Sequence, residues 1–129
     1  MKKGAVKKSV LIIEDEKAIA KAEALVLEDE FNIHHAFDGT EGLKKAKKIK
    51  PDLIILDLML PKRGGYDLCY TIRQDRDLKN IKIVMVTAKN QEVDEDKGML
   101  VGADDYITKP FEPEELLHIV RQVLNEKER

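Results

Sequence analysis

The chain has 129 residues, 43% of them hydrophobic and 37% charged, with 23 Lys plus Arg against 25 Asp plus Glu and a net charge of -2. A chain of this size builds one domain whose core buries roughly two thirds of its unfolded surface, and the near balance of charge excludes a polycation that holds nucleic acid by bulk attraction. The single cysteine, Cys69, excludes an internal disulfide and a multi-cysteine metal cluster, and reads as a buried thiol in a reducing compartment.

Residues 1–8 form a short basic leader without the apolar stretch of a signal peptide. Val10 to Ile13 is an apolar run of strand type, closed by Glu14 and Asp15, and Lys17 to Asp29 has helical spacing. A second strand at Ile33 to Phe37 carries His34 and His35 with no carboxylate or cysteine at ligand spacing, so both read as strand residues. Thr40 to Lys50 is a second helix. Leu53 to Leu56 is a third strand, followed at once by Asp57; Met59 and Met85 read as packing residues. Tyr66 to Arg73 is helical, Ile81 to Val86 a fourth strand with Thr87 at its end, and Asp94 to Val101 a fourth helix. Tyr106 to Thr108 is a fifth strand followed by Lys109, and Glu114 to Glu126 a last helix. Pro113, Glu114 and Glu115 suit its first turn, and Leu116, Ile119, Val120 and Val123 form its apolar stripe. The longest apolar runs fall far short of the roughly 18 residues a membrane span needs, so the expectation is a soluble, cytoplasmic protein.

Strands one, three and four are apolar almost throughout, which requires helices on both faces. Five such strands alternating with five helices predict a (βα)5 α/β fold with a doubly wound parallel sheet. In that architecture ligands bind beyond the carboxyl ends of the strands, where Glu14, Asp15, Asp57, Thr87 and Lys109 all fall. Three carboxylates brought together require a cation, and an all-oxygen donor set suits Mg²⁺ (or Mn²⁺) better than zinc. Formal charges of about -3, +2 and +1 for the carboxylates, the metal and Lys109 then cancel, leaving Asp57 able to attack a phosphoryl group. Lys109 and the Thr87 hydroxyl are suited to hold phosphoryl oxygens. Taken singly, each residue has a plainer role as helix-dipole complement, turn cap or solvated charge; their matched chemistry at the ends of four strands argues against that.

The segments "VLIIEDE", "PDLIILDLMLP", "IVMVTA" and "GADDYITKPF" occur in order across Lys8 to about Leu124. Together they resemble the receiver domain of bacterial two-component response regulators, nearest in motif to receivers of the winged-helix subfamily. The resemblance implies a flavodoxin-like sheet of strand order 2-1-3-4-5, and phosphorylation of Asp57 by a histidine kinase or phosphotransfer protein. It implies Mg²⁺ held by Asp15, Asp57 and the Met59 carbonyl, with Glu14 acting through water. Thr87 and Tyr106 become a switch pair, Lys109 a phosphoryl partner, and the Lys109–Pro110 bond cis. The output face is then the predicted helix at 94–101, the fifth strand and the last helix, signalling to a protein target without direct nucleic-acid or membrane contact.

The chain also departs from that subfamily. Glu95 stands where such receivers usually carry a basic residue facing the acid at Glu115, and Ile119 stands where an arginine usually meets Asp105. With Lys97 and Arg121 as the available compensation, the expectation is a monomer, with an activated dimer as the lesser alternative. "KRGG" after Pro61, in place of "GMDG", is expected to alter kinase contacts. The whole of 1–129 reads as one receiver domain with no effector domain, either a stand-alone protein or a piece of a longer regulator, with the starting Met1 and charged tail leaning toward the former. The protein is expected to catalyse only its own phosphorylation and dephosphorylation. An aspartyl-phosphate phosphatase or phosphotransferase wants a second acid two residues past the nucleophile, where this chain has Met59. A flavin-binding module wants a phosphate loop after the first strand, where "EDEKA" is acidic.

Overall fold

The computed structural model describes residues 6–60, 64–88 and 102–125. In chain order the elements are β1 (Ser9–Ile13), α1 (Lys17–Leu27), β2 (Asn32–Ala36), α2 (Gly39–Ile49), β3 (Leu53–Asp57), α3 (Gly65–Gln74), β4 (Lys82–Ala88), β5 (Asp105–Lys109) and α4 (Pro113–Val123). The five strands are parallel in the order β2-β1-β3-β4-β5, the doubly wound, flavodoxin-like arrangement expected. The predicted helix at 94–101, with Glu95 and Lys97, lies outside the described residues.

Alternation along the strands divides the core into two layers. Leu11, Ile13, Ile54, Leu56, Ile83 and Met85 pack toward α2 and α3, against Ala46, Leu68, Cys69 and Ile72. Val10, Ile12, Leu53, Ile55, Val84 and Val86 pack toward α1 and α4, against Ala20, Ala24, Leu27, Leu116 and Val120. Burial on both sides explains the unbroken apolar runs. Cys69 is buried as expected, and its thiol is pushed up to about 11 by desolvation. Met85 is fully buried, whereas the Met59 side chain is 62% exposed; the packing role expected for Met59 is therefore incorrect. Its residue lies past the end of β3, where the chain has already left the layer between sheet and helices.

Three of the strands run further than expected. The ladder pairs Asp57 with Val86 and Ala88 with Lys109, so Asp57, Thr87 and Lys109 are held by the sheet itself rather than by the loops after it. Gly65 opens α3 hard against that edge: a Cβ there would stand 2.8 Å from the Asp57 carbonyl oxygen and 2.8 Å from the Leu58 Cα.

Polar contacts fix the periphery. Asp38 caps α2 by accepting from the Glu41 amide at 2.8 Å, and the Glu41 carboxylate accepts from the amide of Phe37, the residue before the cap, at 2.6 Å. The Glu112 amide donates to Glu115 at 2.9 Å, half of a capping box on α4. Arg73 donates to the carbonyls of Gly102, Lys79 and Ile81 and pairs with Asp104 at 2.8 Å, tying α3 to the chain ahead of β4 and β5. Arg121 is paired with Glu30 within the chain. Arg121, expected as a compensating charge at a dimer face, also makes this ion pair within the chain. Asp105 accepts from the Tyr106 amide at 2.8 Å.

Candidate functional site

β1, β3 and β5 deliver Glu14, Asp57 and Lys109 to one edge of the sheet. Strand parity decides which side of the sheet each faces. Glu14 continues the Val10, Ile12 series, Asp57 the Leu53, Ile55 series and Lys109 follows Ile107, so all three lie on the α1/α4 side. Thr87 continues the Ile83, Met85 series, and Tyr106 is paired with Met85, so the two expected switch residues share the opposite side on neighbouring strands.

Glu14 and Asp57 are buried, at 1% and 7% exposure, while Asp15 is exposed. One carboxylate oxygen from each of the three lies within 4.8 Å of those of the other two. Lys109 donates to Glu14 Oε1 at 2.9 Å and stands 3.8 Å from Asp57 Oδ2. Backbone donors complete the shell: the Met59 amide reaches Asp57 Oδ1 at 3.1 Å, and the Glu16 amide reaches Glu14 Oε2 at 3.2 Å. One oxygen of Asp57 is thereby oriented by the chain that follows it, and the other faces the lysine.

The electrostatics follow from burying like charges together. Desolvation pushes the Glu14 carboxyl up to about 7; the Lys109 bond opposes this and the Asp57 charge adds to it. Burial acts to lower Lys109, but the Glu14 hydrogen bond and the charges of Asp57, Glu14 and Glu23 outweigh it, and the ammonium is held above its ordinary value. Thr87 is buried at 2% exposure, and Tyr106 is half-buried against the α2/α3 layer. The Lys109–Pro110 peptide is cis.

For a hard cation bound at about 2.1 Å, donor oxygens lie roughly 3 to 4 Å apart around the ion. Three carboxylates within 4.8 Å nearly satisfy that spacing, and one reaching through water accommodates the rest. The donor set is all oxygen, anionic and open to solvent on the Asp15 side, which fits Mg²⁺.

The sequence reading missed Glu23. It lies on α1 among Ala20, Ala24 and Leu27, on the helix's buried stripe, and is 1% exposed with neither carboxylate oxygen hydrogen-bonded among the described residues. Its place in that apolar period was a signal available in the sequence. Burial, together with the charges of Glu14 and Asp57, pushes it up to about 8 against the opposing pull of Lys109. His35, read only as a strand residue, stacks on Phe37 with ring centroids 6.0 Å apart, and burial lowers its pKa.

Comparisons with known proteins place the chain in a family. The response regulator receiver domain family matches residues 10–121. The chain belongs to that family. The receiver is 43% identical over 122 residues to the alkaline phosphatase synthesis transcriptional regulatory protein PhoP of Bacillus subtilis, covering 94% of this chain and 50% of PhoP. It is 45% identical over 116 residues to the response regulator ArlR of Staphylococcus aureus, covering 89% and 52%. The receiver thus spans about half the length of the curated relatives it matches. Among solved structures, the Vibrio cholerae chemotaxis protein CheY4 superposes with a TM-score of 0.85 at 31% identity, covering 92% of this chain and 99% of CheY4. The receiver domain of the sensor histidine kinase PA1611 from Pseudomonas aeruginosa, solved with magnesium coordinated in its active-site cleft, shares the fold at a TM-score of 0.84 and 24% identity, covering 94% and 100%. Among the described residues no helix is long and apolar enough to cross a membrane.

Proposed function

We propose that this receiver takes a phosphoryl group onto Asp57 from a histidine kinase or phosphotransfer protein and passes the signal on through a change of its α4-side surface. The observation that supports this most directly is the placement of Asp57 at the end of β3, within 4.8 Å of two further carboxylates and 3.8 Å from the Lys109 ammonium.

Asp15, Asp57, the Met59 carbonyl and, through water, Glu14 would hold Mg²⁺ or Mn²⁺, as the PA1611 receiver holds magnesium. The ion supplies charge neutralisation for the oxygens of the transferring group. In the transfer an Asp57 oxygen forms the new O–P bond as the bond to the donor nitrogen or oxygen breaks, and the leaving group takes up a proton from solvent. The Met59 amide on Asp57 Oδ1 fixes the carboxylate's rotation so that its other oxygen is presented for attack. Lys109, held beside both Glu14 and Asp57, is placed to follow the added charge from the carboxylate to a phosphoryl oxygen.

Thr87 and Tyr106 act as the switch. Both lie on the α2/α3 side of β4 and β5, so a pull on the Thr87 hydroxyl vacates space on the face Tyr106 shares. The output surface is the segment 94–101 with β5 and α4. PhoP is a transcriptional regulator about twice this length; here the receiver's own contribution is contact with a protein partner or with an attached output segment. With Glu115 engaged at the start of α4 and Arg121 paired to Glu30, the monomer is the favoured state. Turnover of outside substrates is disfavoured, because Met59 offers no acid to a leaving group; the chemistry is confined to the receiver's own phosphorylation and dephosphorylation.

The test is intact mass after incubation with Mg²⁺ and a small acyl phosphate donor, wild type against Asp57→Asn. A single phosphoryl adduct that requires the metal and vanishes in the variant is expected. An adduct of undiminished yield in Asp57→Asn would overturn the assignment.

A further inference from the structure

The chain as a whole is nearly balanced, with a net charge of -2, but the fold does not spread that charge evenly. The exposed arc of α2 carries Lys44, Lys47 and Lys48, and Lys50 follows at the helix's left-handed C-cap. Residues three and four apart on a helix are surface neighbours, with Cβ atoms about 5–6 Å apart, so Lys44 stands next to both Lys47 and Lys48. Glu41 is the one acid of the helix, and it is engaged by the Phe37 amide and by Lys45. Among the described residues Lys44, Lys47, Lys48 and Lys50 have no carboxylate partner, whereas Arg73, Lys109 and Arg121 are each paired. Because α2 runs back between two parallel strands, its lysine-rich end lies toward the N-terminal side of the sheet, away from the acidic cluster at the carboxyl edge.

Complementing the helix dipole accounts for Lys47 and Lys48 in the last turn. Lys44 lies a turn earlier, and like charges at i,i+4 destabilise a helix. The arc therefore holds a repulsion that an external anion relieves, and what the arc lacks restricts which anion. A protein interface is anchored by buried aromatic, aliphatic or arginine side chains, and exposed lysine–carboxylate pairs by themselves contribute little. A helix lying on a bilayer sinks an apolar face into it, whereas the apolar residues of α2, Ala46 and Leu43, pack into the core. A nucleic acid requires neither. Its binding to bare lysines is driven by release of the counterions condensed on its phosphates, and a duplex carries a charge about every 1.7 Å of its axis. Gly39 to Lys50 contains no arginine, aromatic or amide side chain to read a base edge, so the contact it offers is to backbone and independent of sequence.

We infer that the lysine face of α2 binds nucleic-acid phosphates, holding a duplex by its backbone through Lys44, Lys47, Lys48 and Lys50. This goes beyond phosphoryl transfer at Asp57 and does not depend on it. The charge balance of the whole chain conceals the face, because the acids that offset these lysines are held elsewhere in the fold.

The probe is a fluorescently labelled duplex of about 20 base pairs, titrated with the full chain in chelator between about 20 and 200 mM KCl and followed by anisotropy. Saturable binding is expected at the low-salt end, and a duplex of scrambled sequence should bind equally well. Four neutralised phosphates give a log–log salt slope of about -3 to -4, a loss on the order of 100-fold between about 50 and 200 mM salt. Combining Lys44→Gln, Lys47→Gln and Lys48→Gln, all at exposed positions, should flatten the slope by about one for each lysine removed. The control combines Lys21→Gln, Lys79→Gln and Lys82→Gln, which take the same charge from exposed positions off α2 and should leave the slope as it is. Glutamine and lysine have similar helix propensity, so the circular dichroism of both variants should match the wild type. No saturation at low salt, a slope shallower than about -1, or equal losses in the two variants would each overturn the inference. So would binding of polyglutamate or of phosphatidylserine vesicles in place of the duplex.

Discussion

Replacing Glu23 with glutamine isolates the proton linkage of one buried carboxyl. Unfolded, this group titrates near 4.5; folded, burial and the neighbouring carboxylates push it up to about 8. Below the lower value it is protonated in both states and leaves stability independent of pH. As pH rises between the two values the unfolded chain releases the proton while the folded chain keeps it, so stability falls, and above the folded value the slope disappears. The slope is about 1.4 kcal/mol per pH unit, which gives a loss of roughly 3.5 kcal/mol between about pH 5 and pH 8. Glutamine has the same shape and no such transition. Urea denaturation of both proteins across that range, in chelator, measures the difference. Glu14 and Lys109 are present in both chains, so their own titrations largely cancel. With m near 1–3 kcal/mol per molar urea, the gap between the two midpoints should change by on the order of 1 M or more, the variant gaining as pH rises. Midpoints that run parallel with pH would mean that Glu23 is solvated or paired in the folded state, and would refute the reasoning.

Other expectations concern the site and its supports. Asp15→Asn, at the exposed corner of the acidic cluster, should weaken Mg²⁺ affinity by tenfold or more in calorimetry; an unchanged affinity would remove Asp15 from the metal shell. Gly65→Ala forces a methyl against the backbone that carries Asp57 and Leu58; it should cost about 1–3 kcal/mol in denaturant unfolding and slow phosphorylation of Asp57, and neutral behaviour in both assays would show that the edge yields. Arg73→Ala leaves three carbonyls and the Asp104 carboxylate without their donor; a loss of about 3 kcal/mol is expected, and a loss under about 1 kcal/mol would mean water replaces the guanidinium. Lys109→Ala should leave phosphorylation or its structural response impaired, read by adduct yield and by NMR shifts at Tyr106; full retention of both would dismiss the lysine from the site.

Much of this molecule was legible in the order of its residues. Apolar runs at Val10 to Ile13, Leu53 to Leu56 and Ile81 to Val86 can only be strands covered on both faces, and parallel strands place whatever follows them at one edge. Glu14, Asp15, Asp57, Thr87 and Lys109 could therefore be grouped before any coordinate was known, because that grouping depends on topology and not on side-chain detail. Three-dimensional packing decided the rest. Whether Met59 is buried depends on where the chain leaves the sheet layer, and periodicity does not record that. The sorting of Glu14, Asp57 and Lys109 to one side of the sheet and Thr87 with Tyr106 to the other depends on the register at which each strand ends, which a shift of one residue would reverse. Arg121 meets Glu30 because α4 packs beside α1, a juxtaposition of residues 91 positions apart. Glu23 falls in the apolar period of α1, but only the closing of that helix over the sheet makes it a buried acid near the site.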